Sequence, residues 1–244
     1  MPRPVLLVRA SGNEDDAALL REVGAPSVID PYLKISLDTS EMAAKKARLM
    51  VETLEKSAGL TQTWLAITSV NSLKYFGELV GTDRIANAIK NSQLRFSAVG
   101  EASANELRNL GVSEILVPEK NTAKELAKAM IARGPAKVVW PRSAIAMKSF
   151  PNSLDQAGWV LIDGPVYETN PVQNEPESVK DLLSGSFAGV IFRSPSAAKA
   201  VAKWVAPDIL SSADTQVICL GETTATAARE LGFTNIQSNF KGAF

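Results

Sequence analysis

Trp64-Leu-Ala-Ile-Thr-Ser-Val-Asn-Ser-Leu-Lys74 and Gly189-Val-Ile-Phe-Arg-Ser-Pro-Ser-Ala-Ala-Lys199 decide the fold. Each is a short apolar run, then a serine, then a stretch with apolar residues at helical spacing. A continuous apolar run of this length reads as a strand buried on both faces. The same strand–Ser–helix unit occurring twice marks an internal repeat.

Further along, Val99-Gly-Glu-Ala-Ser-Ala-Asn-Glu-Leu-Arg-Asn-Leu-Gly111 matches Leu220-Gly-Glu-Thr-Thr-Ala-Thr-Ala-Ala-Arg-Glu-Leu-Gly232, with the glycines, Glu and Leu-Gly in register. A looser pair starts with Val5–Arg9 and Val138–Arg142. Each is followed by a helix, ending at Val23-Gly24 and Ala157-Gly158, and then by an extended segment from Val28 or Val160. The chain therefore reads as units a, b, a′ and b′.

Strands are expected at Pro4–Val8, Leu65–Ile67, Phe96–Val99, Glu114–Val117, Lys137–Trp140, Val160–Ile162, Gly189–Phe192 and Val217–Leu220. Helices are expected at Asp15–Val23, Ser40–Lys56, Glu101–Leu110, Ala123–Arg133, Ser196–Val205 and Thr223–Leu231. This alternation predicts an α/β protein of two doubly wound, parallel-sheet domains. At 244 residues the chain is long enough for both. Two sequential domains would fit, as would a middle domain inserted into the other. The paired extended segments near Pro31–Leu37 and Val166–Val172 favour insertion through a two-stranded hinge. The expected boundaries are 1–35 plus 168–244 for the discontinuous domain and 36–167 for the inserted one.

Composition narrows the chemistry. Lys plus Arg and Asp plus Glu are 26 each, so nothing suggests a nucleic-acid-coating protein. The chain has no histidine, which excludes Ser-His-Asp and Cys-His catalysis. Its single cysteine, Cys219, excludes an intramolecular disulfide and cysteine-rich metal sites, and reads as a small buried hydrophobe. No G-x-G-x-x-G or Walker A pattern supports a nucleotide cofactor. The expectation is no cofactor and no metal. Neither a signal peptide nor a membrane span is visible, so the expected location is the cytoplasm.

In such sheets ligands bind outside the carboxyl ends of the strands, where helix N-termini offer free N–H groups to anions. Small polar residues stand at those ends: Thr68 and Ser69; Ser194, Pro195 and Ser196; Gly100 and Ser103; Gly221, Thr223 and Thr224. Ser194 suits an N-cap with Pro195 at the first helical position. Arg9 and Arg142, the latter beside Ser143, end matching strands and can fork onto a carboxylate. Caps, turns and a surface ion pair are the plainer readings of the same residues.

Val8-Arg9, the Thr68-Ser69 and Ser194-Pro-Ser turns, the two Gly-Glu turns and Val166-Tyr167-Glu-Thr169 together resemble the uroporphyrinogen-III synthase family, over nearly the whole chain. The resemblance implies a bilobal fold with the middle of the chain inserted, and a cofactor-free enzyme of tetrapyrrole (haem) biosynthesis. It implies hydroxymethylbilane, a polycarboxylate, as substrate; loss of water; and ring closure with inversion of the last pyrrole. It makes Tyr167 the catalytic residue and the polar turns the substrate-binding ones, in a monomer that binds neither nucleic acid nor membrane. Arg193 departs from the family pattern, standing where a small hydroxyl residue is expected. Ser103 replaces a more usual Thr, and the chain ends at Phe244 where relatives often continue into a helix. A bilobal tetrapyrrole-binding sensor and a non-catalytic paralogue are the alternatives.

Overall fold

The computed structural model describes residues 2–57, 63–90 and 93–237. Backbone proximity divides the chain into two compact units. One is discontinuous, Met1–Ile35 with Thr169–Phe244; the other is continuous, Ser36–Glu168. Residues 238–244, including the expected early ending at Phe244, lie outside the described residues.

The discontinuous unit holds β1 (Val5–Leu7), β2 (Ser27–Ile29), β8 (Gly189–Phe192), β9 (Gln216–Cys219) and β10 (Ile236–Gln237) in the order β10-β9-β8-β1-β2. Its pairings are parallel. A parallel sheet needs cover on both faces, and the pleat shows how it is met. Val5 and Leu7 join Ile191 and Ile218 under Ala17 and Leu20 of α1 (Asn13–Glu22). Leu6 and Val8 face the other way, with Val190, Phe192, Val217 and Cys219. There α8 (Val179–Leu183), α9 (Pro195–Ala202), α10 (Pro207–Ser212) and α11 (Glu222–Glu230) cover them. Each such Val or Leu contributes about 1.5–3 kcal/mol by leaving water. Burial pushes the Cys219 thiol up to about 11, which keeps it protonated and unreactive at neutral pH.

The second sheet, most of which lies in the continuous unit, runs β3-β7-β6-β4-β5, with the start of β3 and the end of β7 belonging to the discontinuous one. Its strands are β3 (Leu33–Leu37), β4 (Thr63–Ile67), β5 (Arg95–Ala98), β6 (Lys137–Ser143) and β7 (Val160–Pro171). Here β4, β5, β6 and β7 pair in parallel. At the β3 edge, Asp38 N–H donates to Val166 O (3.2 Å) and Val172 N–H to Tyr32 O (3.0 Å). Partner numbers running in opposite senses make this edge antiparallel. One face, with Trp64, Ala66, Val138 and Trp140, lies under α6 (Ala123–Ile131) and α7 (Ser149–Gln156). The other meets α2 (Glu41–Glu55) and α3 (Asn71–Val80), which pack on β6. Capped by Ser40, whose hydroxyl accepts from Ala43 N–H at 3.1 Å, α2 buries Ala43, Ala47, Met50, Val51 and Leu54 along one stripe. It lies so close to β7 that a Cβ on Gly164 would sit 2.5 Å from Lys46 Cβ. Between α3 and β5 runs α4 (Thr82–Lys90), burying Ile85, Ala88 and Ile89.

The repeats map onto the strands as β1 with β6, β2 with β7, β8 with β4, and β9 with β5. The two sheets then share one internal order, β2-β1-β8-β9 and β7-β6-β4-β5. Each sheet joins the first half of one repeat to the second half of the other. The two-sheet α/β class expected from the alternation is the one found.

One expected strand is absent. At Glu114–Val117 only Leu116 bridges, to Ser97; its N–H donates to Phe96 O at 2.9 Å and its carbonyl accepts from Ala98 N–H at 3.0 Å. Pro118 follows with no N–H to continue a ladder. This bridge takes the place that β10 holds beside β9. Two strands run longer than expected: β6 continues past Trp140 to Ser143, and β7 past Ile162 to Pro171. Among the described residues no helix is long and apolar enough to cross a membrane.

Candidate functional site

Parallel strands place their carboxyl ends along one edge of a sheet. In the continuous unit that edge gathers Thr68 and Ser69 after β4, Arg142 and Ser143 on β6, and Tyr167 on β7. The β6–β7 register slips there: Arg142 pairs with Pro165, but Ser143 with Tyr167. A one-residue slip turns the following side chains to the other face, as bulges commonly do beside functional sites. Tyr167 is thereby set opposite Ser143.

Its phenol is hydrogen-bonded to the Ser69 and Ser143 hydroxyls. The ring stacks on Tyr75 of α3, centroids 5.6 Å apart and planes at 29°. Tyr167 is 7% exposed. Burial pushes its pKa above the ordinary tyrosine value, the two serine hydroxyls oppose that, and Tyr75 adds to it. The phenol therefore carries its proton at neutral pH and is a donor. Asn71 N–H donates to Ser69 Oγ at 3.2 Å and Ile145 N–H to Ser143 Oγ at 3.3 Å, which fixes both serines against the backbone.

The flanking residues are more occupied than their sequence suggests. Thr68 Oγ1 accepts from Trp140 Nε1 at 2.9 Å. Arg142 Nε donates to Asp163 Oδ2 at 2.6 Å and Nη1 to Ser143 O at 3.0 Å. Gly100 is the N-cap of α5 (Glu101–Asn109) in ordinary extended backbone. Its glycine is needed because a Cβ would meet Asn121 Cγ at 2.9 Å, so the chain's own side chain fills that approach. Ser103 is buried.

In the discontinuous unit the carboxyl edge carries Arg9 beyond β1, the Ser194–Ser196 turn after β8 and Gly221 after β9. Ser194 caps α9, accepting from Ala197 N–H at 3.3 Å, with Pro195 in the first turn. Gly221 caps α11 at φ +116°, backbone that side chains with a Cβ rarely adopt. Thr223 is exposed and Thr224 buried. Arg9 ion-pairs with Asp16 at 3.6 Å, and Arg193 forks onto the same carboxylate through Nη2 and Nε. The unexpected Arg193 is thus accounted for by a buried partner on α1.

The structure brings Tyr167, Ser69 and Ser143 into one cluster, with Thr68 and Arg142 beside it. It places Arg9, Ser194, Pro195, Ser196, Gly221, Thr223 and Thr224 in the other unit. Sequence reasoning missed Tyr75, Asp163 and Asp16. Tyr75 reads as one more core aromatic on a helix. Asp163 had a signal: it matches Asp30 in the looser repeat.

The family model described as "Uroporphyrinogen-III synthase HemD" matches residues 14–240. The uroporphyrinogen-III synthase of Chlorobaculum parvum is 28% identical over 223 residues, spanning 87% of this chain and 82% of that protein. The chloroplastic uroporphyrinogen-III synthase of rice is 30% identical over 185 residues, 71% of this chain but 57% of the rice protein. Among solved structures, uroporphyrinogen-III synthetase of Helicobacter pylori aligns over 99% of this chain and 96% of its own, with a TM-score of 0.58 at 14% identity. A mutant synthase of Thermus thermophilus aligns over 98% and 94%, with a TM-score of 0.54 at 17% identity. At those identities the structural likeness speaks for the fold, and the family assignment rests on the sequence match along almost the whole chain. This chain belongs to the uroporphyrinogen-III synthase family.

Proposed function

We propose that this chain closes hydroxymethylbilane to uroporphyrinogen III, with Tyr167 as the acid that assists departure of the hydroxyl. The observation that carries the assignment is the protonated, nearly buried phenol at a sheet's carboxyl edge, held by Ser69 and Ser143.

The chemistry asks little of the protein's nucleophiles. The pyrrole nitrogen lone pair expels the terminal hydroxyl, which takes a proton and leaves as water. Tyr167 Oη–H donates to that oxygen, while the serine hydroxyls hold the phenol in position. The resulting azafulvene is attacked by the substituted carbon of the last ring. This forms the spiro intermediate from which inversion follows. The bilane closes unaided to the uninverted product, so the enzyme's task is mainly to hold one folded conformer. No step calls for a cofactor. The substrate's carboxylates suit the N–H groups at the starts of α5, α9 and α11. The proposed substrate-binding set is Arg9, Thr68, Ser69, Arg142, Ser143, the Ser194–Ser196 turn and the two Gly-Glu turns. The strands β3 and β7, where the chain passes between units, are the proposed hinge.

Isomer analysis tests this. Hydroxymethylbilane is generated in situ, incubated with the protein, and the products are oxidised and separated. Predominantly III isomer is expected from the native chain. The isomer I of the protein-free control would overturn the assignment and leave a binding protein or lapsed paralogue.

A further inference from the structure

Asp16 is fully buried on α1, and its side chain is 1% exposed. A carboxylate removed from water is costly unless paired, and one arginine would suffice to pair it. Here it has two. Arg193 forks onto both its oxygens, and Arg9 Nη1 lies 3.6 Å from Oδ2. The trio therefore keeps one net positive charge. Neither guanidinium is submerged: the Arg9 side chain is 36% exposed and that of Arg193 34%.

The surroundings are shaped for the arginines. Buried Asn13 fixes the Arg9 backbone from both sides, accepting its N–H at 3.1 Å and donating to its carbonyl at 2.8 Å. Gly12, at φ +74°, lies under the Arg9 guanidinium, and a Cβ there would crowd Nη1 and Nη2 at 3.3 Å. Arg9 Nη1 also donates to Gly12 O at 3.1 Å. Gly12 caps α1 without a side-chain bond, which leaves first-turn N–H groups at the same place. The two arginines come from the neighbouring parallel strands β1 and β8, just past their carboxyl ends. Glu14 and Asp15 are exposed on the first turn of α1, and among the described residues neither ion-pairs with either arginine.

We propose that Arg193 and Arg9 form a two-guanidinium clamp that binds a carboxylate of the substrate, with buried Asp16 as the residue that positions both. This rests on the synthase reading above. Nη1 of Arg193 and Nε and Nη2 of Arg9 are the donors not already committed to Asp16 or Gly12, and a planar carboxylate matches such forks. The anion also relieves the repulsion between two cations that share one counter-charge.

The test is steady-state turnover of hydroxymethylbilane, scored as III isomer, for the native chain, Arg193→Gln and Arg193→Lys, with melting temperatures alongside. Arg193→Gln should raise KM about tenfold with kcat within about twofold, and should flatten the rise of KM with salt. Arg193→Lys keeps the charge on Asp16 but loses the fork, and should give a smaller rise in KM. If Arg193→Gln does not fold, Arg193→Lys decides alone. Native KM and salt dependence in folded variants would overturn the clamp, as would a loss confined to kcat. Failure of the native chain to make III isomer would overturn the synthase reading and the clamp with it.

Discussion

Thr68-Ser69 and Arg193-Ser194 occupy the same position in the two repeats, each at the end of a central parallel strand and the start of a helix. Around the first, hydroxyls and a protonated phenol make an uncharged cluster. Around the second, two guanidiniums meet a buried carboxylate. The matched aspartates diverge as well: Asp163 accepts from Arg142 Nε at 2.6 Å, while Asp30 accepts from Ser178 N–H at 2.8 Å. So do two tyrosines that follow them. Tyr167 meets two serines at the sheet edge, whereas Tyr32 is fully buried and reaches Ser178 Oγ at 3.0 Å. One backbone plan thus supports a neutral phenol–serine cluster in one unit and a charged arginine–carboxylate trio in the other, because chemistry resides in the grafted side chains rather than in the fold.

The widest separation is expected from the tyrosines. Tyr167→Phe should lower kcat about a hundredfold in a chain that stays folded, whereas Tyr32→Phe should keep turnover and lose about 1–2 kcal/mol of stability in urea titrations. Equal activity in both variants would erase the distinction drawn between the two edges. Next in size is Gly164→Val, which forces branched methyls against Lys46 and should cost about 2–3 kcal/mol. Gly158→Ala, at φ +77° with nothing within 4 Å, should cost about 1 kcal/mol from backbone strain alone.

Alkaline pH sharpens the contrast further. Burial pushes the Tyr32 phenol up to about 12, against about 10 in the unfolded chain. Below pH 10 both states hold the proton and stability is flat from this group. Between pH 10 and 12 only the unfolded chain releases it, so stability falls by roughly 2 kcal/mol. Cys219 adds a similar decline that begins near pH 9. Urea midpoints from pH 8 to 12 should show Tyr32→Phe losing less than the native chain above pH 10 only. An effect of the same size as Gly158→Ala is expected from Ser194→Ala, about 1 kcal/mol for the lost α9 cap, measurable as a shift in urea midpoint.

The alternation of apolar runs and helical stripes made the two parallel sheets legible, since strands buried on both faces leave continuous runs such as Val5-Leu6-Leu7-Val8. The repeats marked which strands correspond, but left open whether the units pair in sequence or by insertion. What local sequence could not carry is who meets whom. Glu114–Val117 has the composition of a strand, but the neighbouring Pro118 limits it to one bridge. Helix α4 has no counterpart among the expected helices; it begins directly after Gly81, which ends α3. At the site, Ser69 and Ser143 were legible through position at strand ends, and Tyr167 through the family resemblance. Asp16 was not, because an acid in a first helical turn usually faces water and favours the helix dipole from there. Its burial depends on Arg193, 177 residues away.

The crossed pairing of the repeats has a consequence for synthesis. During translation β1 emerges well before its partner β8, which begins about 180 residues later. At roughly 5–20 residues per second, Val5 to Val8 wait on the order of ten to forty seconds for the strand that pairs with them on the side away from β2. The continuous unit has emerged entirely by then. The β1 segment therefore stays apolar and without its β8 partner through that interval, and a holding chaperone has that time to act on it.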